Sequence, residues 1–222
     1  MTDRIGIMGG MFDPPHRGHI RAALAAADAL ALERVCMVPC ARPNHRAGAS
    51  ADGCHRLAML RLACAEHAVL EVDDRELQRG GTSYTADTLE EFSARYPRAL
   101  RVFIQGWDSF LTLPGWERWE DILRTSHVCA VSRPGSRLPA GDSDDPAERI
   151  MAAILAERRV ERPEELLPST TGGILVLESV DCAISSTQLR QQLQTRGEDG
   201  AGTVDQWLTP DVTAYIRTHQ LY

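Results

Sequence analysis

The sequence contains no lysine, and all 24 of its positively charged residues are arginine. A phosphate-binding P-loop lysine and any lysine Schiff base are therefore excluded. A positive net charge is missing as well. At −7 over 222 residues, the chain is not built to coat a nucleic acid, and an anionic ligand has to be held by a local patch. The six cysteines include no CxxC pair. Cys40, His45, Cys54 and His55 form the only grouping of metal-ligating types, and their spacing fits no familiar zinc pattern; reduced cytosolic thiols are expected. No charged-then-apolar leader opens the chain, and no run approaches the ~18 apolar residues of a membrane span. A soluble, cytoplasmic protein is expected. There is no internal repeat, and the length suits a single α/β domain over 1–222.

What is present is concentrated at the start. Ile5-Gly6-Ile7-Met8 has the length and apolar character of a buried strand. Gly9-Gly10-Met11-Phe12-Asp13-Pro14-Pro15-His16-Arg17-Gly18-His19 follows, and then Ala- and Leu-rich residues 20–32, which favour helix. Two histidines thus sit where a strand hands over to a helix. Glycines let a bulky anion approach their backbone, and helix-start N–H groups without partners attract one. His16 and His19, three apart, share one side if the first turn is helical.

The rest alternates strand and helix. Strands are expected at 35–38, 69–72, 100–104, 128–131 and 174–177, making six parallel strands in a doubly wound sheet with flanking helices and a small C-terminal helical part at about 183–222. Arg42, His45, Arg46, His55 and Arg56 lie in and after the loop at 40–53, placed to meet an anion. Ser83 and Thr85 are candidate N-caps for a helix reaching Tyr96. Gly106-Trp107-Asp108 places a carboxylate just past a strand end, on the ligand side of such a sheet. A helix is expected over 114–123, with Trp119 in the core and Trp116 open to a ligand. Ser185 and Gln188 fit a capping box, and Thr209-Pro210 opens a last helix.

Gly-x-Phe-Asp-Pro-x-His-x-Gly-His resembles the N-terminal motif of the nucleotidyltransferase superfamily, and Ile184-Ser185-Ser186-Thr187-Gln188-Leu189-Arg190 resembles its triphosphate-binding segment. Pro-Asn-His-Arg at 43–46, the segment 83–89, Gly-Trp-Asp at 106–108, Trp116 and Ser-Arg-Pro-Gly at 132–135 narrow the resemblance to bacterial nicotinate-nucleotide adenylyltransferases. Met11, Asn44 and Trp107 depart from that pattern without removing a catalytic group. The resemblance implies adenylyl transfer from ATP to nicotinate mononucleotide, with Mg²⁺ carried by the ATP phosphates. It implies catalysis by His16, His19 and Arg190, and ATP contacts from Gly9, Gly10, Met11, Phe12, Gly106, Asp108, Ser185, Ser186 and Thr187. The mononucleotide falls to His45, Arg46, Ser83, Tyr84, Thr85, Trp116 and Arg133. Free N–H groups at Tyr84–Thr85 and beside Trp116 are expected to receive the nicotinate carboxylate, and Glu117 has to point away. Other adenylyl- or cytidylyltransferases of the superfamily and a non-catalytic nucleotide sensor remain as alternatives. A dinucleotide-binding dehydrogenase would need Gly-x-Gly-x-x-Gly after the first strand, which is absent.

Overall fold

The computed structural model describes residues 3–43, 49–132, 135–178, 184–194 and 204–222. Strand β1 (Arg4–Gly10) lies inside the sheet, flanked by β2 (Arg34–Pro39) on one side and by the central strand β6 (Leu100–Gly106) on the other. β4 (Leu70–Val72) pairs outside β2, while β7 (His127–Ser132), β9 (Ile174–Glu178) and β8 (Arg159–Val160) continue outward from β6. Every pairing in this seven-stranded sheet is parallel. The strand order reverses between β1 and β6, so the crevice beyond their C-terminal ends is where an open α/β sheet binds its ligand.

The sheet is buried on both faces, as a parallel sheet must be. On β6, Leu100, Val102 and Ile104 enter one core cluster and Phe103 enters the other. The first face is covered by α1 (Arg17–Ala29), α2 (Gly53–Cys64), α8 (Ser186–Gln194) and α9 (Pro210–Thr218). The second is covered by α4 (Thr85–Arg95), α5 (Trp107–Leu111), α6 (Trp119–Thr125) and α7 (Pro146–Arg158). A short α3 (Arg75–Arg79) precedes β5 (Thr82–Ser83), which pairs in parallel with β3 (Arg42–Pro43) as a separate two-stranded sheet.

All six expected strands are present, and a seventh was not foreseen. Two-residue β8 shows no alternation to read, and neither do β3 and β5. α1 begins at Arg17 and not at residue 20, because His16 caps it, and it stops at Ala29 ahead of Ala31, which has φ 47°. The helix expected over 114–123 is broken. A 3₁₀ turn at Leu113–Gly115 and left-handed Arg118 (φ 55°) separate Trp116 from α6. Neither Ser83 nor Thr85 caps α4; Tyr84 occupies the cap position without a side-chain bond, and the Ser83 hydroxyl receives the Ala41 N–H at 3.0 Å. Thr209 does cap α9, accepting from the Val212 N–H.

Candidate active site

α1 starts with a capping box built from two imidazoles. His16 Nδ1 accepts the Gly18 N–H at 3.1 Å, and His19 Nδ1 accepts the His16 N–H at 3.2 Å. Ser and Glu usually fill these two positions. A neutral imidazole that accepts at Nδ1 carries its proton on Nε2, so the reciprocal cap assigns both tautomers. The rings lie 3.7 Å apart between centroids, tilted by 32°, with the edge of Phe12 against His19 at 5.0 Å. Burial pushes His16 down to about 4 and His19 well below its ordinary value, the neighbouring His16 adding to the second shift. Both rings are therefore neutral N–H donors at physiological pH.

The expectation of free helix amides beside these rings fails. The Arg17 N–H donates to Trp207 O at 2.8 Å, and the His19 N–H to His16 O. With Gly18 taken by His16, the first turn of α1 offers imidazole and little backbone.

The motif loop is held from both sides. Asp13, 2 % exposed, accepts the Ser50 N–H (2.7 Å), the Ala51 N–H (3.1 Å) and the Tyr222 hydroxyl (2.6 Å). Arg56, 1 % exposed, donates to the carbonyls of Ala51 (3.1 Å), Met11 (2.8 Å) and Ala41 (3.4 Å). Ala51 is thus gripped at both ends of its backbone. Arg56 does not wait for an anion, as expected from the sequence; it is a buried strut. Its signal was present, since Arg56, Met59, Leu60 and Ala63 share the buried helical face. His55, expected in the same anion patch, meets the Tyr215 hydroxyl at 3.0 Å. Gly10 has a steric reason, because a Cβ there would lie 3.1 Å from the Phe12 ring.

α8 docks onto this loop. The Ser186 hydroxyl donates to Pro14 O (3.0 Å), and Arg190 donates to Asp13 O (2.7 Å) and to the Thr187 hydroxyl (3.2 Å). Ser185 and Gln188 form the expected box: Gln188 Oε1 receives the Ser185 N–H and Ser185 Oγ receives the Gln188 N–H. A chain segment more than 160 residues away is thereby brought to the two histidines.

One cavity of about 650 Å³ joins these parts. Its walls include every expected site residue among those described: Gly9, Gly10, Met11, Phe12, His16, His19, Ser83, Tyr84, Thr85, Gly106, Asp108, Trp116, Ser185, Ser186, Thr187 and Arg190. His45, Arg46, Asn44 and Arg133 lie outside the described residues. At the far end, Trp116 donates from Nε1 to the Thr112 hydroxyl (3.1 Å), and its ring stands edge-on to Phe103. Arg118 ties this turn to α4 through Asp87 (2.6 Å) and Glu90, and to Asp121 (2.7 Å). The Trp116 N–H, expected to be free, closes the 3₁₀ turn on Leu113 O at 3.0 Å. Glu117, expected to point away, forms part of the cavity wall, as do Glu76 and Gln105, which the sequence reading passed over. Burial pushes the Glu76 carboxyl above its ordinary range; Thr88 donates to it at 2.6 Å. Trp107 is largely in the core against Phe110, although one edge reaches the cavity. Among the described residues, no three His, Cys, Asp or Glu side chains come together to hold a metal ion.

A Gly-Gly strand end, a pair of neutral imidazole donors and an arginine-bearing helix start define a phosphate-handling α/β transferase, and residues 7–192 match the cytidylyltransferase-like family. Two curated relatives are probable nicotinate-nucleotide adenylyltransferases. That of Pseudomonas syringae is 41% identical, over 99% of this chain and 93% of the relative, and that of Pseudomonas fluorescens is 40% identical, over 100% and 98%. The chain belongs to the nicotinate-nucleotide adenylyltransferase family. The solved Plasmodium falciparum nicotinic acid mononucleotide adenylyltransferase complexed with NaAD shares its fold, with a TM-score of 0.74 at 16% identity, covering 99% of this chain and 97% of that one.

Two outcomes test this architecture. Arg56→Leu strands three carbonyls and is expected to cost about 3 kcal/mol or more in urea unfolding. His16 gives a pH signature. The unfolded chain protonates this imidazole near pH 6.5, whereas the folded protein resists until about pH 4, so stability drains away as pH falls through that window, by about 3 kcal/mol in all. His16→Asn keeps a capping side chain and should remove this share of the acid slope between pH 7 and 4.5.

Proposed function

We propose that this protein transfers the adenylyl group of MgATP to nicotinate mononucleotide, forming nicotinate adenine dinucleotide and pyrophosphate, as a soluble cytoplasmic enzyme. The observation that carries the proposal is the imidazole capping box, with its Nε2 protons, in one cavity with Arg190 and the start of α8.

In this reading a phosphate oxygen of the mononucleotide attacks the α-phosphorus of ATP in line. The bond from that phosphorus to the bridging oxygen breaks, and pyrophosphate leaves with its magnesium. No protein nucleophile is needed; positioning and charge stabilisation supply the rate. His16 and His19 donate from Nε2 to the α-phosphate as negative charge gathers there, a task for neutral imidazole of the kind low-pKa histidines perform. Arg190, Ser186 and Thr187 hold the β- and γ-phosphates, and guanidinium suits oxygens presented in pairs. Gly9 and Gly10 let the chain of phosphates lie close, and Asp108 serves the adenosine side. Mg²⁺ is part of the substrate, since it keeps most of its ligands as phosphate and water.

The pyridine end lies between Trp116 and the Tyr84–Thr85 turn, with His45, Arg46 and Arg133 serving the mononucleotide. Because the Trp116 N–H is occupied, the first-turn N–H groups of α4 receive the nicotinate carboxylate, aided by the helix dipole. A carboxylate accepts there, whereas an amide presents its NH₂ to the same donors.

The direct test is pyrophosphate release from MgATP with each pyridine mononucleotide. The nicotinate form is expected to show kcat/KM at least about 10-fold above the nicotinamide form. Equal values, or a preference for the amide, would contradict the pocket. Release only with a different nucleotide would point to another transferase of the superfamily, and no release at all would point to a sensor. His19→Ala should retain the fold and lower kcat about 100-fold or more. Arg98→Ala, exposed beyond the opposite end of β6, should leave turnover within about 2-fold of the parent, because surface changes away from such features do little.

A further inference from the structure

Gln105 is 4 % exposed, yet neither its Oε1 nor its Nε2 has a hydrogen-bond partner among the described residues. Buried side-chain amides are nearly always satisfied, and an orphan carries a desolvation penalty until something pairs with it. The exception sits in the cavity wall, at the point where the strand order reverses.

Its neighbours on the same face of the sheet are small. Alternation along β6 turns Val102 and Ile104 to the α1 side, and Phe103 and Gln105 to the other. Gln105 stands beside Ala130 of β7. Ile7 of β1 stands beside Phe103, and two residues further along β1 is Gly9. A Cβ at Gly9 would meet no heavy atom within 4 Å. The amide is therefore buried among small residues in the cavity wall, beside the room above Gly9 and about 7 Å along the strand from Phe103. Phe103 meets Trp116 at one end of the cavity, while the glycines of β1 lead to the histidines at the other.

We propose that Gln105 binds the ribose of the pyridine mononucleotide and is a specificity residue for that sugar; this rests on the function proposed above. The sugar joins the pyridine ring to the phosphate, and Gln105 lies between the two regions assigned to them. Chemistry separates the candidates as well. A phosphate or carboxylate only accepts, so it would satisfy Nε2 and set negative charge against Oε1. A ribose diol does both: one hydroxyl donates to Oε1 and the other accepts from Nε2.

The test compares the wild type with Gln105→Met, close in shape but without either polar atom, on nicotinate mononucleotide and its 2′-deoxyribose analogue. The wild type is expected to use the deoxy analogue about 10-fold less efficiently. Gln105→Met should lose about 10-fold in kcat/KM on the ribose substrate and discriminate between the two sugars by less than about 3-fold, with KM for ATP unchanged. Its ligand-free melting temperature should not fall, because an unpaired amide is removed. An unchanged kcat/KM in Gln105→Met would mean that the amide holds only water, and would overturn the proposal. So would a variant that keeps the wild-type preference for ribose, or one that loses stability and both substrates alike. If the wild type turns over ribose substrate, such a result condemns the Gln105 assignment alone; if it turns over neither, the proposed reaction fails first.

Discussion

The reciprocal cap at the start of α1 is the constraint on which the site depends. A helix start leaves N–H groups that need acceptors. Here His16 and His19 supply acceptor nitrogens to Gly18 and His16, and that structural duty decides the chemistry left over. With Nδ1 committed to the backbone, each ring can only donate from Nε2. Burial then keeps both rings neutral, so Nδ1 stays an acceptor for the cap and Nε2 an uncharged donor at a pH where a freely exposed histidine would be partly charged. Local folding and the chemistry of the site are one arrangement.

That arrangement needs a rigid loop beneath it, and the loop is held by groups of opposite character. Asp13 collects donors from Ser50, Ala51 and Tyr222, while Arg56 distributes donors to Met11, Ala41 and Ala51. Charges this deep survive because their hydrogen-bonding capacity is used. α8 rests on the same loop through Pro14 and Asp13 carbonyls. A displacement of residues 11–14 would therefore misplace Arg190 as well as the histidines. In a chain of net charge −7, the histidine end of the cavity presents neutral donors and arginine, with its buried carboxylate already occupied.

The other end of the cavity is assembled differently. Trp116 stands on a turn broken away from α6 by Arg118, whose guanidinium reaches back to Asp87 and Glu90 on α4. Two walls from separate elements are joined by exposed ion pairs, which are individually weak and salt-sensitive. Glu76 and Gln105 come from two further elements. The aromatic end is thus joined across separate elements by side chains, whereas the two imidazoles themselves are set by a local cap.

That difference separates what could be read from the sequence from what could not. The strand–Gly-Gly–His-x-Gly-His succession, the alternating elements, the Ser185–Gln188 box and the Thr209 cap depend on residues within a few positions of one another, and periodicity and capping chemistry act at that range. The buried side of Arg56 was legible as well, from its spacing to Met59, Leu60 and Ala63, though its partners on three loops were not. Strand β8, the occupied amide of Arg17 and the unpaired amide of Gln105 depend on what the folded chain places alongside. Trp207 takes the Arg17 N–H across most of the sequence, and the small residues beside Gln105 come from other strands. Local sequence determined which groups could form the site; tertiary structure decided which remained free to bind, because a donor or acceptor is available only when no neighbour in space has already claimed it.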